Sequence, residues 1–161
     1  MLQTLLNSEE VVYTTTLSTS QLKEKLEKIF RPKTTGSRYY LPGEFDSERS
    51  FKASSFSKFS EIGQLFKGYP AHLSGQIIEK VNSLEIHVTY RPNLWHIFSP
   101  FLFPLFGIMG FFGLWGEGDF LGKLLGIWFI LCGFGFYAWG RYLRNGLKKR
   151  FESLSGLESL Y

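Results

Sequence analysis

The fold prediction depends mainly on one stretch of the sequence, residues 99–142, which reads SPFLFPLFGIMGFFGLWGEGDFLGKLLGIWFILCGFGFYAWGRY. It contains most of an apolar region that begins at Asn93. Residues 93–115 and residues 120–142 are each 23 residues long and almost free of charge. At about 1.5 Å per residue, each forms a helix of roughly 34 Å, which is enough to cross a hydrocarbon layer of about 30 Å. The sequence therefore predicts a transmembrane helical hairpin over residues 93–142.

The charges around this hairpin predict its orientation. Arg91 precedes the first span and five Lys or Arg residues lie at or just after the end of the second, whereas the connecting loop carries Glu117 and Asp119. By the positive-inside rule, both termini are expected in the cytoplasm, and the protein is expected to be a multi-pass protein of the inner (plasma) membrane. Aromatic and basic side chains at the span ends are expected at the membrane interface and against anionic lipid headgroups. They are Trp95, Trp115, Trp139, Arg141, Arg144, Lys148, Lys149 and Arg150.

Glycines recur on one side of each predicted span. The set comprises Gly107, Gly110, Gly122, Gly126, Gly133 and Gly140. Small residues at such spacing let two helices approach closely in a membrane. Two interpretations remain open at this stage: the glycines pack the two helices of one hairpin together, or they form a seam between protomers.

The first 92 residues have a different character. They contain 12 Lys or Arg against 10 Asp or Glu, and their patterns alternate between strand and helix periodicity. EEVVYTTTLS predicts a strand, STSQLKEKLEKIF predicts a helix opened by a Ser18–Gln21 capping box, and LEIHVTYR predicts a half-buried strand. We expect residues 1–92 to be a cytoplasmic α+β domain that folds by itself, with a small antiparallel sheet and one covering helix.

The last residues, 143–161, are predicted to be a basic amphipathic tail. Leu143, Leu147 and Phe151 recur near helical spacing with basic residues between them. Such a segment either extends the second helix or turns at Asn145–Gly146 to lie along the surface of an anionic membrane. The alternative at this stage is a partly ordered terminus.

The sequence offers no pattern for catalysis or for metal binding. Its three histidines form no HExxH motif, its only cysteine is Cys132, and no glycine-rich phosphate loop or nucleophile elbow appears. We therefore predict no catalytic, cofactor-binding or metal-binding residues and no enzyme activity. The basic residues gather beside the apolar region, which favours lipid headgroups over nucleic acid as the partner.

One resemblance covers residues 43–140. The order GEF, SFKASSF, YPAHLSGQI and LEIHVTYRPN, followed by the apolar hairpin, resembles uncharacterised small bacterial membrane proteins. In these, a β-rich cytoplasmic domain precedes a two-helix transmembrane hairpin. The resemblance implies a bacterial inner-membrane protein and supplies no activity.

Two functions follow as hypotheses. The first is a membrane-anchored, non-enzymatic interaction or ligand-binding module, whose cytoplasmic sheet contacts a protein, a lipid, a small ligand or a second copy. The alternative is an oligomeric pore or membrane-disrupting effector with a cytoplasmic sensor or assembly domain. The alternative is supported by the glycine-lined helix faces and by the dense aromatic residues of the first span, which are Phe101, Phe103, Phe106, Phe111 and Phe112.

Overall fold

The computed structural model describes residues 6–31, 41–55, 71–81, 83–112 and 120–159. The chain divides into two compact units, one of Met1–Pro92 with Leu143–Tyr161 and one of Asn93–Tyr142. The C-terminal residues 143–161 therefore belong to the same unit as the N-terminal residues, and the prediction of a separate tail was wrong. The apolar hairpin is inserted, in sequence, into an α+β unit that is built from both ends of the chain.

The helices and strands alternate in the first unit and are long in the second. In chain order they are β1 Glu9–Thr15, α1 Thr19–Phe30, β2 Gly43–Ser47, β3 Ser50–Ser54, β4 Ala71–Glu79, β5 Leu84–Pro92, α2 Leu94–Phe111, α3 Phe120–Ser155 and β6 Glu158–Ser159. The strands form one antiparallel sheet in the order β2-β3-β4-β5-β1-β6, in which β6 contributes two residues. The prediction of a mixed α and β protein with an antiparallel sheet is confirmed.

The sheet buries one face because its strands alternate apolar and polar residues. Along β5, Leu84, Ile86, Val88 and Tyr90 are buried, and the residues between them are more exposed. Side chains of a strand point alternately to opposite faces, so these four residues fix which face is the core. Burial of each large apolar side chain contributes roughly 1.5–3 kcal/mol.

Helix α1 covers part of this core and begins where the sequence predicts. Ser18 accepts a hydrogen bond from the Gln21 backbone amide at 3.3 Å, and the Gln21 side chain accepts one from the Ser18 amide at 3.1 Å. This capping box satisfies two amides that the first turn leaves without partners. The buried side of the helix carries Leu22, Leu26 and Ile29, spaced for one helical face.

A second helical segment covers the same core, so the prediction of a single covering helix was wrong. Leu147 and Phe151, near the end of α3, are 1% and 0% exposed. The Phe151 ring lies 5.9 Å from the ring of Tyr13 and 6.3 Å from that of Tyr90. The amphipathic pattern that suits a membrane surface equally suits the apolar face of a sheet. Helix α3 continues through Asn145–Gly146, so the C-terminal residues extend the second helix and do not turn at this point, which was the other possibility left by the sequence.

The second unit consists of α2 and the first part of α3, and glycines lie where these helices meet. A Cβ atom built on Gly126 would lie 2.6 Å from the carbonyl oxygen of Gly107, and one on Gly133 would lie 2.6 Å from Cδ of Pro104. Gly110 faces Gly122 at ordinary contact distance. Gly140 is also buried. The absence of side chains at these positions lets the two backbones approach closely.

Candidate functional site: the outer face of the sheet

The surface of the second unit is strongly apolar. Helix α2 has an 18-residue window of mean hydropathy 1.5, of which 22% is buried, and α3 has one of 1.7, of which 11% is buried. Phe112 and Phe120 are 75% and 83% exposed. By length and composition, both helices can cross a membrane. Large exposed apolar surfaces of this kind mark contact with lipid or with another protein.

The predicted interface residues fall into different environments. Trp95 and Trp139 are about half exposed, Arg141 and Lys149 are exposed, and Arg150 is half-buried. Trp115 lies outside the described residues. The two remaining basic residues, Arg144 and Lys148, are engaged within the α+β unit, which overturns their prediction as headgroup ligands.

Both of these basic side chains bind one carboxylate. The Arg144 guanidinium lies 3.0 Å from Oε2 of Glu9, and the Lys148 ammonium lies 2.7 Å from Oε1. Arg144 also donates to the backbone oxygen and to the side-chain oxygen of Asn7, each at 3.2 Å. With its side chain only 10% exposed, Arg144 is held by charge-assisted hydrogen bonds that fix α3 against the start of β1.

A second polar contact connects α3 with the centre of the sheet. The Tyr13 hydroxyl donates to Oε1 of Glu152 at 2.9 Å and lies 2.8 Å from the Tyr90 hydroxyl. Since the Tyr13 proton is directed to Glu152, Tyr90 donates to Tyr13. Burial raises the pKa of both tyrosines well above the usual range, so both remain protonated and serve as structural hydrogen-bond partners.

The opposite face of the sheet carries polar side chains in cross-strand rows, and we call it the outer face. One row contains Arg91, His72 and Ser54 from β5, β4 and β3. The next contains Glu10, Thr89, Ser74, Lys52 and Glu44 from all five longer strands. The third contains His87, Gln76 and Ser50. Residues in one row have neighbouring side chains, so each row can contact a single ligand or partner.

One end of the outer face is rich in hydrogen-bond donors, and we call this group (Arg91, His72, Ser54, Ser74 and Thr89) the Arg91 end. These residues line an open depression of about 600 Å³. Ser54 Oγ and His72 Nδ1 are 2.9 Å apart. Partial desolvation lowers the pKa of His72 from its usual range, so its ring is neutral near pH 7.

The outer face is more acidic around His87. His87 Nδ1 lies 3.6 Å from a carboxylate oxygen of Glu10, and its Nε2 lies 3.5 Å from one of Glu85. Lys80 pairs with the same Glu85 carboxylate at 2.5 Å, which lowers the pKa of Glu85. The outer face therefore has a cationic, hydroxyl-rich end and a region where carboxylates surround a histidine.

Within the described residues, no group of three His, Cys, Asp or Glu side chains is placed to hold a metal ion. Comparison with known proteins finds no matching family model, no similar curated protein and no similar solved structure. The function is therefore inferred from the chemistry of this chain alone.

The sequence indicated only part of the Arg91 end. The alternation of β5 places Thr89 and Arg91 on its polar face, which residue spacing alone predicts. The register of β3, β4 and β5 places His72 and Ser54 beside Arg91. Residues 55–70 separate β3 from β4 in the sequence. No local signal specifies that register.

Proposed function

We propose that this protein is a membrane-anchored, non-enzymatic binding module of the inner membrane. Helix α2 and the first part of α3 cross the bilayer, and the α+β unit lies in the cytoplasm and binds its ligand through the outer face. The observation that carries this proposal is the difference between the two faces of the sheet. One face packs into the hydrophobic core, and the other presents rows of polar side chains that take no part in the core.

The way in which the chain builds the α+β unit supports the hairpin topology. Residues before and after the apolar hairpin form one compact unit, so both flanks of the hairpin must reach the same side of any membrane. Two crossings satisfy this condition and one does not. Basic residues on both flanks, Arg91 before and Arg141 after, favour the cytoplasmic side.

The pore alternative depended in part on glycine faces that other protomers would contact. The glycines at 107, 126 and 133 pack α2 against α3 within one chain, so they provide no support for a seam between protomers. We therefore prefer the binding module.

The proposal is tested in three measurements on the full chain. Alkaline carbonate extraction should leave the protein in the membrane, and cysteine labelling at Ser153 (S153C) should be blocked in intact cells and restored after permeabilisation. Protein reconstituted into dye-loaded liposomes should cause no leakage. Release by carbonate would contradict anchoring, labelling of intact cells would contradict the orientation, and dose-dependent leakage would favour the pore.

A further inference from the structure

We propose that the Arg91 end of the outer face is a binding site for a phosphate-type oxyanion, supplied by a lipid headgroup or by free phosphate. This inference deepens the proposed function, and only the lipid source rests on the membrane crossing of α2.

The Arg91 end presents a positive charge. Arg91 is exposed, and among the described residues no carboxylate lies within ion-pair distance of its guanidinium. The other cation nearby, Lys52, lies 2.5 Å from Asp46 and is paired. Arg91 therefore contributes an uncompensated positive charge whose fork of N–H donors matches two oxygens of a phosphate.

Further hydrogen-bond donors lie around Arg91. The hydroxyls of Ser74 and Thr89 line the same depression as Arg91, and Ser54 is hydrogen-bonded to His72. When the Ser54 hydroxyl donates to Nδ1, the neutral His72 ring carries its proton on Nε2. Guanidinium and hydroxyl donors together satisfy several acceptor oxygens of a phosphate. The carboxylate that also lines the depression, Glu44, lies on β2 beside Lys52, three strands away from Arg91 on β5.

The site lies at one end of the sheet and, along the chain, close to the start of α2. The carboxylates of Glu10 and Glu85 flank His87, so an anion is disfavoured beside His87 and favoured near Arg91. Arg91 is also two residues before Asn93, which caps α2. If α2 crosses the bilayer, the Arg91 backbone lies within about 8 Å of Asn93, where the membrane span begins. Lipid phosphates are the anions concentrated at this level of the membrane surface.

The test uses the full chain in maltoside micelles, which are uncharged and free of phosphate. Inorganic phosphate and, separately, short-chain phosphatidylglycerol are titrated while the ring signals of His72 are followed by NMR. We expect saturable shifts with at least one probe, and at least a tenfold weaker affinity in Arg91→Gln because a charge-assisted hydrogen-bond pair is lost. Arg49→Gln is the matched control: it is exposed, has the same charge change and is paired with Glu79 away from this end.

Each outcome is informative. Binding of phosphate alone identifies a soluble anion as the ligand, and binding of the lipid alone identifies a lipid headgroup. Either result supports the site if Arg91→Gln weakens the binding and Arg49→Gln does not. Ser74→Ala provides a second variant should Arg91→Gln fail to fold, with an expected loss of several-fold. Failure of both probes to bind, or equal effects of the two arginine variants, would overturn the site. Carbonate extraction reports separately on the anchor, so loss of anchoring with retained phosphate binding would refute only the proposed function.

Discussion

The Arg144 guanidinium near the C-terminus binds the Glu9 carboxylate near the N-terminus, with Nη2 and Oε2 3.0 Å apart and the arginine side chain 10% exposed. This contact joins the two sequence segments that flank the apolar hairpin. Arg144→Met is expected to destabilise the α+β unit by about 2–3 kcal/mol, because Glu9 loses a hydrogen-bonded charge and Asn7 loses its donor. Hydrogen exchange of the β1 and β5 amides, measured by mass spectrometry, should accelerate correspondingly.

The control for this prediction is Lys149→Met, which removes an exposed positive charge from the same helix. It should change the free energy of unfolding by less than about 0.5 kcal/mol and the exchange rates correspondingly little. Equal effects of the two variants would show that Arg144 acts only through net charge.

The second prediction concerns the two ends of the chain. Residues 1–92 alone should not fold, because they lack Leu147, Phe151 and Leu157, which are all buried in the shared core. Their burial is worth roughly 1.5–3 kcal/mol each, which together matches much of the usual stability of a small domain. A chain in which a long Gly/Ser linker replaces residues 93–142 should fold and show dispersed amide signals by NMR. A well-folded fragment of residues 1–92 would contradict this prediction.

The third prediction concerns helix packing in the hairpin. Gly126→Leu should destabilise it by about 1–3 kcal/mol, since a Cβ there would lie 2.6 Å from the carbonyl oxygen of Gly107. Gly135→Leu is the control, because no atom lies within 4 Å of its Cβ position. All four tryptophans lie in residues 93–142, so tryptophan fluorescence during denaturation in micelles reports on this unit. An unchanged midpoint for Gly126→Leu would show that the helices pack differently.

The fourth prediction concerns two glycines in the C-terminal segment. Gly146 lies inside α3 with no atom within 4 Å of its Cβ position, so Gly146→Ala should stabilise the helix by up to about 1 kcal/mol. Gly156 has a φ of +58°, and Gly156→Ala should destabilise the unit by about 1 kcal/mol. Hydrogen exchange in α3 measures both. Destabilisation by Gly146→Ala would indicate that this position must bend or must contact a partner.

The fifth prediction is the titration of His72. Its pKa should lie below the ordinary value of 6.5, because desolvation disfavours the imidazolium next to Ser54 and Arg91. The folded state then binds its proton less tightly than the unfolded state, so stability is full above about pH 6.5 and falls as the pH drops below it. NMR of the ring protons measures the pKa directly. A pKa above 6.5 in the absence of phosphate would contradict the prediction.

Local sequence patterns predicted the elements that local physics determines. The capping box at Ser18 fixed the start of α1, and strict alternation along β5 identified its buried face. The long apolar segments predicted two helices able to cross a membrane, because length and composition alone decide that capacity.

Only the tertiary structure decided how distant segments are used. The spacing of Leu147 and Phe151 shows an apolar helix face, but the same face can lie on a membrane or on a sheet, and its partner is more than 50 residues away in the sequence. In the same way, the alternation of β5 placed Arg91 on a polar face, whereas the cross-strand register placed His72 and Ser54 beside it. A periodic pattern specifies which side of an element is apolar; what covers that side, and which side chains meet on the other, is set by long-range pairing.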